Sequence, residues 1–194
     1  VYVGSDEGHF RALELVDGRE RWRYEAGAAV TSGSVLAGGT LVFGTADGRV
    51  LGLGAADGRL RWLETVGLPV CARPAVVGNR VVVGTDEGTL LALDPTTGLA
   101  VARARMPDGG LIRADLVADG GVVYAATTSG WIAAYDAQTL RRVWARQVGD
   151  EVSAGPILSG DELLCAAGRA RVIALAKQDG RVRHRWKCPW RVRG

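Results

Sequence analysis

Five short segments of the chain align with one another at intervals of about 40 residues. They are Gly4-Ser5-Asp6-Glu7-Gly8, Gly44-Thr45-Ala46-Asp47-Gly48, Gly84-Thr85-Asp86-Glu87-Gly88, Ala126-Thr127-Thr128-Ser129-Gly130 and Ala166-Ala167-Gly168-Arg169-Ala170. Self-similarity at a fixed period constrains the fold more than composition does. Each repeat is one supersecondary unit that cannot bury its apolar faces alone and must stack on neighbours.

The units share an internal grammar. An apolar run such as Leu41-Val42-Phe43 or Val81-Val82-Val83 enters the Gly/Asp turn, and a short strand such as Thr89 to Leu93 leaves it. A second turn follows at Asp17-Gly18, Asp57-Gly58, Thr97-Gly98 and Asp179-Gly180, with Thr139-Leu140 as the departure. Asp-Gly dipeptides between β-rich runs are hairpin signals, because glycine accepts the positive φ such turns require. A third strand then ends near Trp22, Trp62 or Trp144. The last strand begins at Val30, Val70, Ile112 or Val152 and returns through a corner at Gly38-Gly39, Gly78-Asn79, Gly120-Gly121 or Gly160-Asp161. Four short strands joined by tight turns at this period describe one blade of an all-β propeller. β-Branched residues dominate and no 3.6-residue apolar stripe persists, which disfavours a helical solenoid.

At 194 residues and 47% hydrophobic content, the chain can fill a sizeable core as a single domain, residues 1–194. Its 28 glycines follow the turns and no G-X-Y period. Gly, Asp or Arg interrupts every apolar stretch before the roughly 20 residues needed to span a bilayer. Cys71, Cys165 and Cys188 match no metal-binding spacing and read as free thiols, the first two within apolar strand patterns. The formal charge of +3 is mild, although Arg181, Arg183, Arg185, Lys187, Arg191 and Arg193 crowd the C-terminus with only Asp179 nearby.

The stretch from Ala12 through Gly18 to Trp22 resembles the tryptophan-docking motif of the pyrroloquinoline-quinone (PQQ) type propellers, with Ala first, Gly seventh and Trp eleventh. In that family the Trp packs between neighbouring blades. A small side chain leaves a slot, Gly makes the turn, and the indole fills the gap while its N–H finds a carbonyl. The match continues as Gly52, Gly58 and Trp62, weakens to Ala92, Gly98 and Ala102, keeps Ala134 and Trp144 around Leu140, and ends as Ala174, Gly180 and His184. The docking girdle therefore reads as intact in the first two units and eroded in the third to fifth. Segments Val70 to Ala75 and Val152 to Ile157 resemble the family's strand entering a blade through a small residue and Pro. The recurring Gly-His and Trp-Asp pair of WD40 repeats does not appear: Gly8-His9 occurs once, and no Trp is followed by Asp.

About five blades are expected, in units of residues 1–29, 30–69, 70–111, 112–151 and 152–190. Residues 190–194 could supply the inner strand of the first blade and close a five-bladed ring. Alternatively the chain is part of a larger ring, since the resemblance implies seven or eight blades. The second reading is preferred, because Val1 already stands inside a strand and is not a start residue. Any signal peptide would then lie outside this sequence.

The resemblance also implies, for the dehydrogenases of the family, PQQ in the central channel with Ca²⁺ held by carboxylate and amide oxygens, a catalytic Asp and often a vicinal disulfide. This chain has no adjacent cysteines, and its one Asn, Asn79, lies in a corner turn. Other relatives act as scaffolds, including the outer-membrane assembly lipoprotein and the sensor halves of bacterial Ser/Thr kinases. Asp6, Glu7, Asp47, Asp86 and Glu87 recur in register and read as turn residues.

Departures from the repeat are better clues. Where other units place Gly33 and Gly155 stand Arg73 and Asp115; where others place Thr31, Cys71 and Ser153 stands Arg113. These positions are expected on the inner strand lining the channel, either as an Arg113–Asp115 or Arg73–Asp115 pair or as contacts for a small anionic ligand. His9 and His184 are too far apart for a zinc site, and no nucleophile elbow is present. The basic C-terminal run alternates as a strand with one solvated face does, and the rest of the chain supplies no matching nucleic-acid patch. The expected function is a non-catalytic scaffold or ligand-sensing module, with no cofactor, serving a protein partner or small anionic ligand. The remainder of a larger propeller or a fused domain is also expected, with an extracytoplasmic location by resemblance. The alternative is part of a PQQ-dependent, Ca²⁺-containing quinoprotein dehydrogenase whose ligands lie in other blades.

Overall fold

The computed structural model describes residues 1–149, 151, 152, 154–168 and 170–189. Among them there is no helix, and so none long and apolar enough to cross a membrane. Unit 1 is the three-stranded sheet β1 (Tyr2–Gly4), β2 (His9–Leu13) and β3 (Glu20–Glu25). Four four-stranded antiparallel sheets follow. Unit 2 holds β4 (Val35–Ala37), β5 (Thr40–Gly44), β6 (Arg49–Gly54) and β7 (Leu60–Thr65). Unit 3 holds β8 (Ala75–Val77), β9 (Arg80–Gly84), β10 (Thr89–Leu93) and β11 (Ala100–Arg105). Unit 4 holds β12 (Val117–Asp119), β13 (Val122–Ala126), β14 (Trp131–Asp136) and β15 (Arg142–Gln147), and unit 5 β16 (Ile157–Ser159), β17 (Glu162–Ala167), β18 (Arg171–Ala176) and β19 (Val182–Lys187).

Every pairing joins sequence neighbours, so each sheet is a meander running outward. The innermost strands β4, β8, β12 and β16 touch in succession, which sets the sheets side by side as the blades of a propeller. Meander topology puts the crossing between blades and the Gly44–Gly48 type of turn on one face, here the upper. The glycine corners and the Asp57-Gly58 type of turn lie on the lower face.

Because successive side chains point to opposite faces of a strand, each inner blade must bury both. β5 and β10 are accordingly buried at every residue. The core is distributed in the seams between blades. Phe10, Leu41, Phe43, Leu51 and Leu53 fill the first, with Phe10 stacked on Phe43 at 4.1 Å. Val42, Val50, Trp62, Val81, Val83 and Leu93 fill the second. Val82, Leu90, Met106, Val123, Tyr135 and Leu140 fill the third, and Ile132, Trp144, Leu163, Cys165 and Ile173 the fourth. The buried turn threonines are paired: Thr45, Thr85 and Thr127 each accept the backbone N–H four residues on, from Arg49, Thr89 and Trp131.

The inner strand begins later than the sequence suggests. Val30, Val70, Ile112 and Val152 are buried on the crossing segment and plug the upper ends of the seams. Gly44 must be glycine there, since a Cβ would stand 2.3 Å from Val70 Cγ1. Pro74 and Pro156 cannot donate to a ladder, so strand pairing starts only after them, at Ala75 and Ile157. The outer strands in turn run three residues past each tryptophan, to Glu25, Thr65 and Gln147.

Trp62 joins units 2 and 3 by its indole and by a 2.8 Å bond from Nε1 to the Pro95 carbonyl. Trp62→Ala should therefore cost about 3–5 kcal/mol of unfolding free energy. Leu99→Ala, at a 64% exposed side chain, should stay within about 0.5 kcal/mol. Chemical denaturation of both variants checks this, and equal midpoints would show that the seam is not held at the indole.

Candidate functional site

Arg73, Asp115, Gly33 and Gly155 occupy one position in successive crossings and lie next to one another at the upper mouth of the channel. The aliphatic stem of Arg73 covers Gly33, where a Cβ would meet its Cδ at 3.0 Å. Asp115 in turn lies against Gly155, at 3.0 Å from Cβ to where a Cβ would stand. Asp115 Oδ1 accepts the Arg73 backbone N–H at 3.0 Å, and Leu116 N–H donates to the Arg73 carbonyl at 3.1 Å. The expectation that these residues sit on the inner strand is thus corrected. They belong to the crossing that precedes it, at the mouth.

The expected side-chain pairs with Asp115 are also corrected. Arg113 instead clamps Asp86, with Nη2 at 2.8 Å from Oδ2 and Nε at 3.2 and 3.3 Å from the two carboxylate oxygens. Asp86 sits in the adjoining upper turn with a side chain only 13% exposed. Hydrogen bonding to Asp86 raises the guanidinium pKa further above its ordinary value. Burial, then the Asp86 charge, pushes the Cys71 thiol up, against opposing effects of Thr31 and Arg113. Among the described residues the Arg73 guanidinium has no hydrogen-bond or ion-pair partner. Beside it, Arg113, Asp115, Val117, Pro156 and Ile157 line an open cavity of about 430 Å³. A second hollow, about 540 Å³, continues from Arg73 down the channel past Leu36, Val76, Ala118 and Leu158.

Docking residues sit on the lower face, away from this mouth. Ala12, Gly52, Ala92 and Ala134 stand directly across the ladder from Trp22, Trp62, Ala102 and Trp144. A Cβ at Gly52 would lie 2.2 Å from the Trp62 indole, which explains the small residue. Trp22, Trp62 and Trp144 donate to the carbonyls of Ala55, Pro95 and Lys177 in the next unit, at 3.2, 2.8 and 2.8 Å. Their rings lie on Gly58, Gly98 and Gly180, all with positive φ. Nothing approaches within 4 Å of the equivalent position at Gly18.

The girdle is less eroded than the sequence implies. Trp144 docks as fully as Trp22 and Trp62, because its receiving glycine is Gly180 of the following unit and not Leu140 of its own. The two departures Ala102 and Leu140 face one another across a single seam. Leu140 keeps the turn's positive φ of 50° and buries its side chain to 3% exposure in the cluster against which Ala102 packs. Tyr135, standing where other units have Leu13, Leu53, Leu93 and Leu175, is buried in the same seam and donates to the Arg105 carbonyl at 2.9 Å. The bond lost with the indole is thereby replaced.

That seam carries another feature the repeat alignment passes over. The crossing from Ala102 to Ile112 is two residues longer than that from Trp22 to Val30, and it brings in Asp108. Asp108 accepts from Thr127 Oγ1 at 3.0 Å and from Ser129. In unit 2 the same threonine position, Thr45, donates to Asp47 of its own turn at 2.6 Å. The longer loop supplies the carboxylate that Ser129 removed. Burial opposes ionisation of Asp108, but the Ser129, Gly110 and Thr127 hydrogen bonds outweigh it and hold the pKa below its ordinary 3.8.

Elsewhere, the C-terminal cations have more acids nearby than Asp179. Arg183 pairs with Asp161 at 2.7 Å and Glu162 at 3.4 Å, and Arg181 with Asp179 at 3.1 Å. His9 and His184 lie in different blades, and His184 stacks on Trp186. Among the described residues no three His, Cys, Asp or Glu gather as a metal ion would need. Asp150, Ser153, Arg169 and residues 190–194, including the expected clasp, lie outside the described residues.

Two outcomes are expected. Ala102→Trp and Leu140→Gly should each destabilise, by overpacking and by a cavity of about 2–4 kcal/mol. The double variant should recover at least about 1 kcal/mol of their sum; simple additivity in denaturant melts would break the pairing. For Asp108, a depressed folded pKa means its contribution is present above the unfolded value and lost as pH falls through the folded one. The difference in melting temperature between the wild type and Asp108→Asn should close as pH drops below about 4. A gap constant from pH 7 to pH 2 would remove the carboxylate from the seam.

No curated protein matches the chain significantly. Among solved structures, BamB from Moraxella catarrhalis superposes with a TM-score of 0.83 at 25% identity, covering 96% of this chain and 57% of that one. A quinohemoprotein alcohol dehydrogenase, ADHIIG from Pseudomonas putida HK5, gives a TM-score of 0.84 at 18% identity over 96% of this chain and 40% of that one. Sqt1 from Saccharomyces cerevisiae gives 0.84 at 13% identity over 98% and 58%. The chain thus spans roughly half the length of these proteins, and the last two likenesses concern the fold alone. A family profile described as outer membrane protein assembly factor BamB matches residues 1–187, and with its blades, seams and docking tryptophans the chain belongs to that PQQ-type propeller family.

Proposed function

We propose that the chain is a non-catalytic propeller module that presents a binding surface at the upper mouth of its channel, where Arg73 receives an anionic group of a protein partner or small ligand. The observation that carries this reading is the unequal state of the two arginines. Arg113 is neutralised by Asp86, whereas the guanidinium of Arg73 has no partner among the described residues and borders both cavities. A planar fork of donors beside apolar walls suits a carboxylate or phosphate on an otherwise apolar group. The family description, an outer membrane assembly factor, supports a protein partner and an extracytoplasmic location. Coverage of about half of BamB supports further blades in the working protein.

PQQ and Ca²⁺ fit the residues present poorly. The carboxylates at the mouth are Asp86, engaged by Arg113, and Asp115, engaged by a backbone N–H, and no third joins them among the described residues. Hard-cation sites need six to eight oxygens. No redox step is assigned to this site.

Titration with citrate and with a glutamate-rich peptide, followed by NMR on the arginine side-chain N–H signals, tests the proposal. Arg73→Ala should abolish binding of whichever probe binds, with a melting temperature nearly unchanged. Arg113→Ala should weaken binding less. Binding that survives Arg73→Ala, or no response to either probe, overturns the assignment. A PQQ- and Ca²⁺-dependent dye-linked alcohol oxidation would overturn the non-catalytic reading instead.

A further inference from the structure

On the lower face, the seam between units 4 and 5 breaks the repeat at three positions at once. Tyr124 stands across the ladder from Val117, where the other four-stranded units have Val42, Val82 and Leu164. Asp119 ends its inner strand where they have Ala37, Val77 and Ser159. Lys177 stands where units 2, 3 and 4 have Ala55, Pro95 and Ala137. Its backbone is fixed from both sides, the carbonyl accepting from Trp144 Nε1 at 2.8 Å and the N–H donating to the Asp161 carbonyl at 2.9 Å. From there its side chain crosses the seam and pairs with Asp119.

These three residues border one cavity of about 440 Å³, a size that suits a small molecule, together with Asp161, Arg183 and the apolar Val122 and Val143. Tyr124 is only 3% exposed, yet among the described residues its hydroxyl has no hydrogen-bond partner. Burial pushes its pKa up, and Lys177 and Asp119 are close enough to act on it in opposite senses, so it is a proton donor at the charged edge of the cavity. Hydrogen bonding from Lys177 holds Asp119 below the ordinary carboxylate range, and Arg183, 2.7 Å from Asp161, does the same there. The wall thus presents two cations and two carboxylates, all ionised at neutral pH, beside two valines.

A ligand of one charge would draw a cation or a carboxylate out of its pair and leave the other uncompensated. A zwitterion answers both halves together. We infer that this cavity is a second binding site, apart from the channel mouth, for a free α-amino acid with an apolar side chain. The ligand carboxylate meets Lys177 and Arg183 and accepts from the Tyr124 hydroxyl, the ammonium meets Asp119 and Asp161, and the side chain packs on Val122 and Val143. Both units that build the site are in the chain, and the site shares no residue with the mouth around Arg73.

Isothermal titration calorimetry with L-leucine and L-phenylalanine, up to about 10 mM, tests this. At least one of the two should bind. Isovalerate, which lacks the ammonium, and isopentylamine, which lacks the carboxylate, should each bind at least about tenfold more weakly than leucine or phenylalanine, whichever binds. Tyr124→Phe removes only an unpartnered hydroxyl, so the fold should be kept while amino-acid binding weakens about tenfold. Asp119→Asn should narrow the gap between the amino acid and isovalerate, since the ammonium loses a partner. Arg73→Ala should leave this binding unchanged, which separates the site from the mouth. No binding of either amino acid, isovalerate binding as tightly as the amino acid, Tyr124→Phe binding like the wild type, an unchanged gap in Asp119→Asn, or loss of binding in Arg73→Ala would each overturn the site.

Discussion

A blade of this protein has two apolar faces and no layer of its own to cover them, so every blade depends on contact with its neighbours. The contact is organised by an exchange between a small residue and a large one. Gly52 or Ala12 clears room for its own unit's indole, and a glycine of the following unit accepts the ring. The indole N–H is itself paired with the carbonyl above that glycine. Stability is therefore a sum of nearest-neighbour seams, as repeat architectures require.

The seam between units 3 and 4 shows that the rule concerns volume and hydrogen bonding, not tryptophan as such. Ala102 removes an indole from one side, and Leu140 on the other side fills the space while keeping the left-handed turn that glycine makes cheaply elsewhere. Tyr135 restores a cross-seam hydrogen bond and Asp108 restores the carboxylate that Ser129 displaced. Four residues far apart in the repeat alignment thus form one consistent variant of the same joint. The cost of a bulky residue at positive φ is met by packing density on all sides.

At the opposite face the repeat is freed from these packing demands. Crossing segments carry variable residues over the mouth of the channel, and there Arg73 and Asp115 stand between Gly33 and Gly155. Asp86 shows how a turn carboxylate acquires a second duty. It keeps its periodic place in the turn and also cancels Arg113, which concentrates the remaining positive character of the mouth on Arg73.

The propeller, its meandering blades and the docking role of Trp22 and Trp62 were legible along the chain, because turn glycines, strand periodicity and the Ala-Gly-Trp spacing are local properties repeated every 40 residues or so. Pairings across seams were not legible. A repeat alignment compares each residue with its equivalents, so Leu140 reads as a lost glycine of unit 4 and not as the replacement for the missing indole of unit 3. Likewise Arg113 and Asp115 are close in sequence, yet Arg113 turns to Asp86 in the adjoining turn, 27 residues earlier. The sequence by itself determined the blade and its period, since backbone conformation is set by neighbouring residues. Only the tertiary structure decided which residues of adjacent blades meet, because that depends on distances across a seam that no single repeat contains.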